Sequence, residues 1–352
     1  MVKLMENGLK ILIEMKHGLG DCIHVLPMLE ILRTKYHNAY IAMIVNSEIN
    51  KELIELSGIK VDKFYFLSIK NRPLLETLKL ILELRRECFD YGILATMTPK
   101  QKGKIFFNLL NIKNKLGEQF NGIDFFDLDN SIHFVDRNID IIRNLCPYEK
   151  NNIIPKLNVS SNIVDSYRKI FRKKNVIVGI CIGNGDASLY KGKRVYTRGW
   201  GIENIRKLIL SLIDYDIEVV LFGGKQEKNL LISLTDVLLS SKVFNFVGET
   251  SITESVALAK LCTVVVGCDT GMQHIAAAAG VATISLFGPT NFRTHGAYAS
   301  NAYFIEVEQR LECQYCFTTK HYLECENRKC MSGIKVDKVL SEIIKKCNLH
   351  KG

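Results

Sequence analysis

The chain has 352 residues, 47% hydrophobic and 24% charged, which excludes a disordered polymer and allows two domains. No apolar run reaches the roughly 18–20 residues that cross a bilayer, and the opening MVKLMENG lacks the apolar stretch and cleavage site of a signal peptide, so a cytoplasmic protein is expected. Lys and Arg outnumber Asp and Glu by 47 to 37, a net charge of +10 that favours phosphorylated small molecules, acidic lipid surfaces or nucleic acid as partners.

The first half alternates strand-like and helix-like segments. LKILIEM (9–15) reads as a strand, followed by a helical pattern through about Tyr36. AYIAMIV (39–45) is the next strand, with a short helix near 48–57. KFYFL (63–67) and DYGILATM (90–97) are further strands, separated by the helical stretch 74–88. Beyond Lys100 the pattern blurs, and 117–130 reads as irregular. NVSSN, near 158–165, has the composition of a linker.

The second half repeats the alternation. NVIVGICI (175–182) is an apolar strand followed by a long loop, and 201–213 has helical spacing. IEVVLFGG (217–224) and VFNFVG (243–248) are strands. Ser251 and Glu254 form a capping-box pattern that opens a helix through Ala259. TVVVG (263–267) is a buried strand, CDTG its exit, MQHIAAAA (272–279) a helix, and ATISLFG (282–288) closes the series. Such alternation specifies an α/β fold with two doubly wound parallel sheets in tandem. Ligands bind beyond the carboxyl ends of the strands in such sheets, so a cleft between the two domains is the expected site.

Between the first strand and helix lies HGLGDCIHVLP (17–27). Gly18-Leu19-Gly20 starts a dinucleotide fingerprint, but Ile23 occupies the third glycine position and no acidic residue ends the second strand, which weighs against NAD. Asp21 suits an N-cap or a chemically active carboxylate. Pro27 should kink the helix or begin it, leaving Gly18–Leu26 as an entry loop that exposes Asp21.

The stretch GCDTGMQHIAAAAGVATISLFGPT (267–290) is the most informative. Asp269, Thr270 and Gly271 pass from a strand into a helix whose first N–H groups are unpaired and whose dipole is positive there, which suits a phosphate. Asp269 can accept hydrogen bonds from sugar hydroxyls; ordinary capping is the plain alternative, and for His274 that alternative is core packing. The loop 183–200 carries Lys191, Lys193, Arg194 and Arg198, the last beside the single tryptophan, Trp200, and arginine suits bidentate phosphate binding. A second basic run, Arg168 to Lys174, reads as a solvated helix face. Two D-x-D pairs, Asp127/Asp129 and Asp214/Asp216, are taken as structural or solvated.

Eleven cysteines are many for a cytosolic chain. Cys22, Cys181, Cys262 and Cys268 lie beside apolar residues and read as buried thiols. Cys313, Cys316, Cys325 and Cys330 have the spacing C-x2-C-x8-C-x4-C, which fits a structural zinc or, second, iron site as well as it fits reduced thiols.

Taken together, GLGDCIHVLPML (18–29), Arg198-Gly199-Trp200 and CDTGMQHIAAAAGVATISLFGPT (268–290) resemble glycosyltransferase family nine, the lipopolysaccharide heptosyltransferases, over nearly the whole chain. The resemblance implies a GT-B fold: two Rossmann-like domains, 1–160 binding the acceptor and 161–330 binding the nucleotide sugar with a Cys-rich segment at 313–330, then a C-terminal helix in 331–352. It implies inverting, metal-independent transfer of heptose from ADP-heptose to an anionic lipopolysaccharide core acceptor at the inner-membrane surface, with no catalytic cofactor and no nucleic acid partner. By position, Asp21 resembles the base that deprotonates the acceptor, with Gly18, Gly20 and His24 on the acceptor-side loop. Arg198 resembles the cation on the donor phosphates, Asp269 the carboxylate touching the donor sugar, and Thr270, Gly271 and Met272 the phosphate cradle, with His274 beside them. The GGKQE segment (223–227) falls where the nucleoside is contacted. Transfer to a protein or capsule acceptor is the alternative within the same chemistry, and a non-catalytic sugar-nucleotide or nucleic-acid binder the alternative outside it.

Overall fold

In the computed structural model the description covers residues 8–15, 17–67, 73–96, 100–120, 131–147, 153–172, 176–183, 188–190, 193–195, 198–317 and 319–349. The chain divides into two units, Met1–Pro155 and Lys156–Gly352.

The first unit runs β1 (Lys10–Met15), α1 (Leu19–Lys35), β2 (Tyr40–Val45), α2 (Glu48–Glu55), β3 (Lys63–Phe66), α3 (Leu74–Glu87), β4 (Tyr91–Leu94), α4 (Lys100–Leu109), β5 (Asn114–Leu116) and α5 (Phe134–Ile141). Its five strands lie in the order β3-β2-β1-β4-β5, and every pairing is parallel. β1 and β2 are buried from their second residue onward, as central strands of a parallel sheet are, and all but Glu14 of those buried residues are apolar. Beyond Lys100, where the sequence pattern blurs, the chain still forms α4, β5 and a 3-10 turn at Glu118–Phe120.

The second unit runs α6 (Ser161–Arg168), β6 (Ile177–Cys181), β7 (Ser188–Tyr190), β8 (Lys193–Val195), α7 (Ile202–Asp214), β9 (Glu218–Phe222), a 3-10 segment (Lys225–Leu234), α8 (Thr235–Leu238), β10 (Val243–Asn245), α9 (Ile252–Ala259), β11 (Val264–Cys268), α10 (Gly271–Ala278), β12 (Ala282–Leu286), α11 (Phe292–His295), β13 (Ala302–Ile305), α12 (Lys320–Glu324), α13 (Lys329–Ser332) and α14 (Val336–Lys346). The main sheet has six parallel strands in the order β10-β9-β6-β11-β12-β13, so the series does not close at ATISLFG but runs one short edge strand further. Val339 and Ile343 of α14 join Leu208 and Leu212 of α7 in the core, so the C-terminal helix belongs to this unit.

Four local expectations are corrected. Gly18–Leu26 is not an entry loop: α1 begins at Leu19 with Gly18 as its N-cap and carries Pro27 inside. Two turns of helix precede the proline, so its missing N–H and its ring act on an established ladder. NVSSN is not a linker: the Ser160 hydroxyl accepts from Asn162 N and caps α6, and Leu157 N donates to Ala278 O at 2.8 Å. The basic run from Arg168 is not a helix face, because α6 ends there; Arg172 N instead donates to the buried Glu218 carboxylate at 3.2 Å. The stretch after β6 is not wholly loop: β7 and β8 pair antiparallel within it.

Other expectations hold. Ser251 and Glu254 cap each other's backbone at 3.2 and 2.8 Å. Asp216 pairs with Lys242 at 2.8 Å beside the amino end of β9, as a structural role requires. Asp127 and Asp129 lie outside the described residues.

Candidate functional site

In an open parallel sheet the crevice forms where the strand order reverses, because the loops leaving the two central strands depart to opposite sides. In the first unit the reversal lies between β1 and β4, and in the second between β6 and β11. The Gly18–Asp21 turn follows β1, and the Asp269–Met272 turn follows β11. Each unit therefore carries one of the two principal motifs at its own switch point.

In the first unit, Asp21 is the third residue of α1, and its Oδ2 accepts from Gly18 N at 3.0 Å. Its charge also lies at the positive end of the helix. The side chain is half-buried, so it keeps a face for a ligand. Two asparagines clamp the opening of α1. Asn50 Nδ2 reaches His17 O and Cys22 Sγ, each at 3.1 Å. Asn138 Nδ2 donates to His24 O at 3.4 Å, while its Oδ1 accepts from Thr96 N at the exit of β4. The acceptor-side assignment of His24 is corrected in its setting: the residue is not on a loop. It is 3% exposed in the second turn of α1, with edge-on ring contacts to His133 at 5.2 Å and Phe134 at 6.1 Å. Gly20 lies in the first turn of the same helix.

In the second unit, Arg198, Asp269 and His274 come together. Arg198 Nη1 donates to Asp269 Oδ2 at 3.2 Å, and His274 Nε2 stands 3.8 Å from Asp269 Oδ1. Asp269 is 5% exposed. Burial alone would raise its carboxyl pKa; contact with His274 and the charges of Arg198, His274 and His295 outweigh burial and hold it well below the usual carboxylate range. Asp269 is therefore an anion, with Arg198 and His274 against its two oxygens.

Arg198 is placed by its neighbour Trp200, whose buried indole Nε1 donates to Ile334 O at 2.9 Å. The side chains of Lys193 and Arg194 lie outside the described residues, as does Lys191. Helix α10 is seated by Gln273, which donates to Cys181 Sγ of β6 at 3.4 Å and accepts from Ser285 Oγ of β12 at 3.0 Å. Gly267 permits this close packing, because a Cβ there would meet Cys181 Cβ at 2.6 Å.

Thr270 is the N-cap of α10, yet its hydroxyl makes no capping bond. Its Oγ1 is buried and has no hydrogen-bond partner among the described residues. Helix geometry leaves the N–H groups of Gly271 and Met272 without intrahelical acceptors. A buried hydroxyl, two N–H groups and the positive helix end thus follow directly on Asp269, the residue that Arg198 contacts, and such a donor set matches an oxyanion such as phosphate. In GGKQE, Glu227 is the buried member; its Oε2 accepts from Gly224 N at 2.5 Å.

Three contributors escaped the sequence reading. His295 acts on Asp269 through its charge, Gln273 seats the helix, and Asn138 ties α5 to α1. A histidine just past FGPT was the one available signal; the other two depend on distant partners.

The four tail cysteines share one neighbourhood. Burial first, then the nearby thiols, pushes Cys316 and Cys330 up to about 11. Their segment packs on the FGPT turn: Gln314 Nε2 donates to Gly288 O at 3.1 Å, and Phe317 N to Pro289 O at 3.0 Å. A Cβ on Gly288 would meet Cys330 Sγ at 2.9 Å. The donor set suits a soft cation, but among the described residues no three metal-ligand side chains stand close enough to hold one. No chemical step is assigned to a metal here.

Residues 122–326 match the model of glycosyltransferase family 9 (heptosyltransferase). The lipooligosaccharide heptosyltransferase 2 of Campylobacter jejuni is 24% identical over 347 residues, covering 96% of this chain and 99% of that protein. The structure of the Escherichia coli ADP-heptose lipopolysaccharide heptosyltransferase II superposes with a TM-score of 0.72 at 21% identity, covering 96% of this chain and 98% of that one. The iron-containing dodecameric glycosyltransferase TibC of enterotoxigenic E. coli gives a TM-score of 0.59 at 12% identity, covering 97% of this chain and 77% of that one. The architecture is GT-B, built from two Rossmann-like domains. With the family model matching more than half of its length, the chain belongs to glycosyltransferase family 9, the heptosyltransferases.

Proposed function

We propose that the chain transfers heptose from ADP-heptose to an anionic lipopolysaccharide core sugar, with inversion and without a metal in the reaction. The observation that carries this reading is the unused cap of α10: a buried Thr270 hydroxyl with no hydrogen-bond partner among the described residues, at a helix N-terminus next to Asp269, which Arg198 contacts. The relatives named for heptose transfer from or to such molecules support the choice of sugar and acceptor.

The labour divides between the units. The helix end, Thr270 and Arg198 hold the diphosphate of the donor, and Asp269 accepts hydrogen bonds from its sugar. The acceptor oxygen bonds to the anomeric carbon as the bond from that carbon to the β-phosphate oxygen breaks. The electron pair leaves with ADP. The helix dipole and Arg198 stabilise the charge that builds there, the task a divalent cation performs in other transferases. Asp21 takes the acceptor proton as general base, and attack opposite the departing phosphate inverts the anomeric centre.

His24 supports the first turns of α1 from within the helix. Among the described residues no helix is long and apolar enough to cross a membrane; the chain works in the cytoplasm, peripherally at the inner membrane, where a lipid-borne acceptor presents its core sugar. Incubation with ADP-heptose and a heptose-deficient core saccharide tests the reading. ADP release with addition of one heptosyl residue of inverted configuration is expected. Transfer from a different nucleotide sugar, or none at all, overturns it.

A further inference from the structure

Two neighbouring helices of the first unit present apolar side chains to solvent. α3 buries Leu80 and Leu84, and α4 buries Phe107, in one cluster with Leu12, Ile44 and Leu94 of the sheet. Both helices thus cover the same sheet face. Arg85 Nη1 donates to Leu109 O at 2.9 Å and ties their C-terminal ends together. On the outer side, α3 exposes Leu75 (72%), Leu78 and Leu82 (55%), at i, i+3 and i+7. α4 exposes Ile105 (62%) and Leu109, at i and i+4. Helical periodicity makes each set one stripe. Contiguous exposed aliphatic side chains of this kind mark an interaction surface.

The charge around the stripes selects the partner. The α4 sequence holds Lys100, Lys102 and Lys104 and no acidic residue. On α3, Glu83 and Glu87 pair with Lys63 and Lys10, and around the leucines the exposed cations Lys79, Arg85 and Arg86 outnumber the remaining acidic residue, Glu76. A second copy placed on this face by two-fold symmetry would bring these cations against their equivalents. An anionic bilayer complements both features, since its headgroups carry phosphate and its interface accepts aliphatic side chains.

We infer that the outer face of α3 and α4 docks on an anionic lipid surface, with Leu75, Leu78, Leu82, Ile105 and Leu109 entering the interface and the flanking cations meeting lipid phosphates. This rests on the membrane-side placement proposed above and names the surface that achieves it.

Co-sedimentation of the full chain tests it, with vesicles of phosphatidylethanolamine and phosphatidylglycerol set against phosphatidylcholine alone. Binding to the anionic vesicles, weakened by salt, is expected. Joint substitution Leu75→Ser, Leu78→Ser and Leu82→Ser should lower the partition coefficient by at least about ten-fold. Lys79→Gln, Arg86→Gln and Lys102→Gln together should lower it by about five-fold per charge. Transfer to a lipid-free core saccharide and the melting temperature should not change in either variant. Failure of the native chain to pellet, undiminished binding of the variants, or a native dimer that the serine variant makes monomeric would each overturn the inference. Vesicle binding by a chain that transfers no heptose would leave the docking surface standing and remove the functional reading alone.

Discussion

Arg198 Nη1 and Asp269 Oδ2 stand 3.2 Å apart, joining the loop before α7 to the exit of β11. A guanidinium is a planar fork of several donors suited to bidentate phosphate binding, so a cation anchored on Asp269 in this way suits the donor phosphates. Arg198→Ala should therefore weaken ADP binding by about ten- to one-hundred-fold, the range of a charge-assisted hydrogen bond. Titration calorimetry with ADP measures this; an unchanged affinity would remove Arg198 from the phosphate site.

Asp21 has two separable roles. Its carboxylate accepts from Gly18 N, which an asparagine oxygen can also do, but asparagine cannot take the acceptor proton. Asp21→Asn should keep thermal stability and ADP affinity while kcat falls by about 10²–10⁴-fold. A variant that unfolds earlier with kcat preserved would assign Asp21 to capping alone.

Thr270→Val tests the unused cap. Since Oγ1 makes no capping bond, its removal should leave the unfolding free energy within the range of a neutral substitution, about 0.5 kcal/mol. ADP affinity should fall by about two- to ten-fold, as expected for one neutral hydrogen bond. Lost stability with intact affinity would make the hydroxyl a structural group.

Acid stability follows from Asp269. Its carboxyl is held well below the usual range despite burial, through His274, Arg198 and His295. The unfolded chain takes up this proton near about pH 3.9, whereas the folded chain resists until lower pH. The stabilisation is thus complete above about pH 4 and drains away as pH falls below it. Melting curves of the native chain and Asp269→Asn should differ most at neutral pH and converge in acid. A gap independent of pH would show that the charge of Asp269 contributes nothing.

Thiol chemistry reports on the tail. Cys88 and Cys313 are exposed, while Cys316 and Cys330 are buried and pushed up to about 11. Alkylation with mass-spectrometric mapping at pH 7 should modify the exposed pair first. Cys316 and Cys330 should react slowly, and faster as pH rises toward their range, because the thiolate is the nucleophile. Joint protection of all four tail cysteines, released by a chelator, would instead show that they share a bound ion.

The sequence by itself determined the longer apolar strands, and that two Gly/Asp-bearing turns leave them; the short strands β5, β7 and β8 and the edge strand β13 carry too few residues of pattern to be read from it. Unbroken runs such as IVGIC and VVVGC have no stable place except a covered parallel strand, and Ser251 with Glu254 announces its helix start within four residues. Those signals are local, so they survive without the fold. Tertiary structure decided what a local pattern cannot carry. It ran α1 through Pro27, since the clamps from Asn50 and Asn138 come from other helices. It turned NVSSN into a cap and brought His295 to bear on Asp269. Strand order placed each motif at a reversal of the sheet, because order depends on which crossovers pack over a common core, and that packing joins residues far apart in the chain.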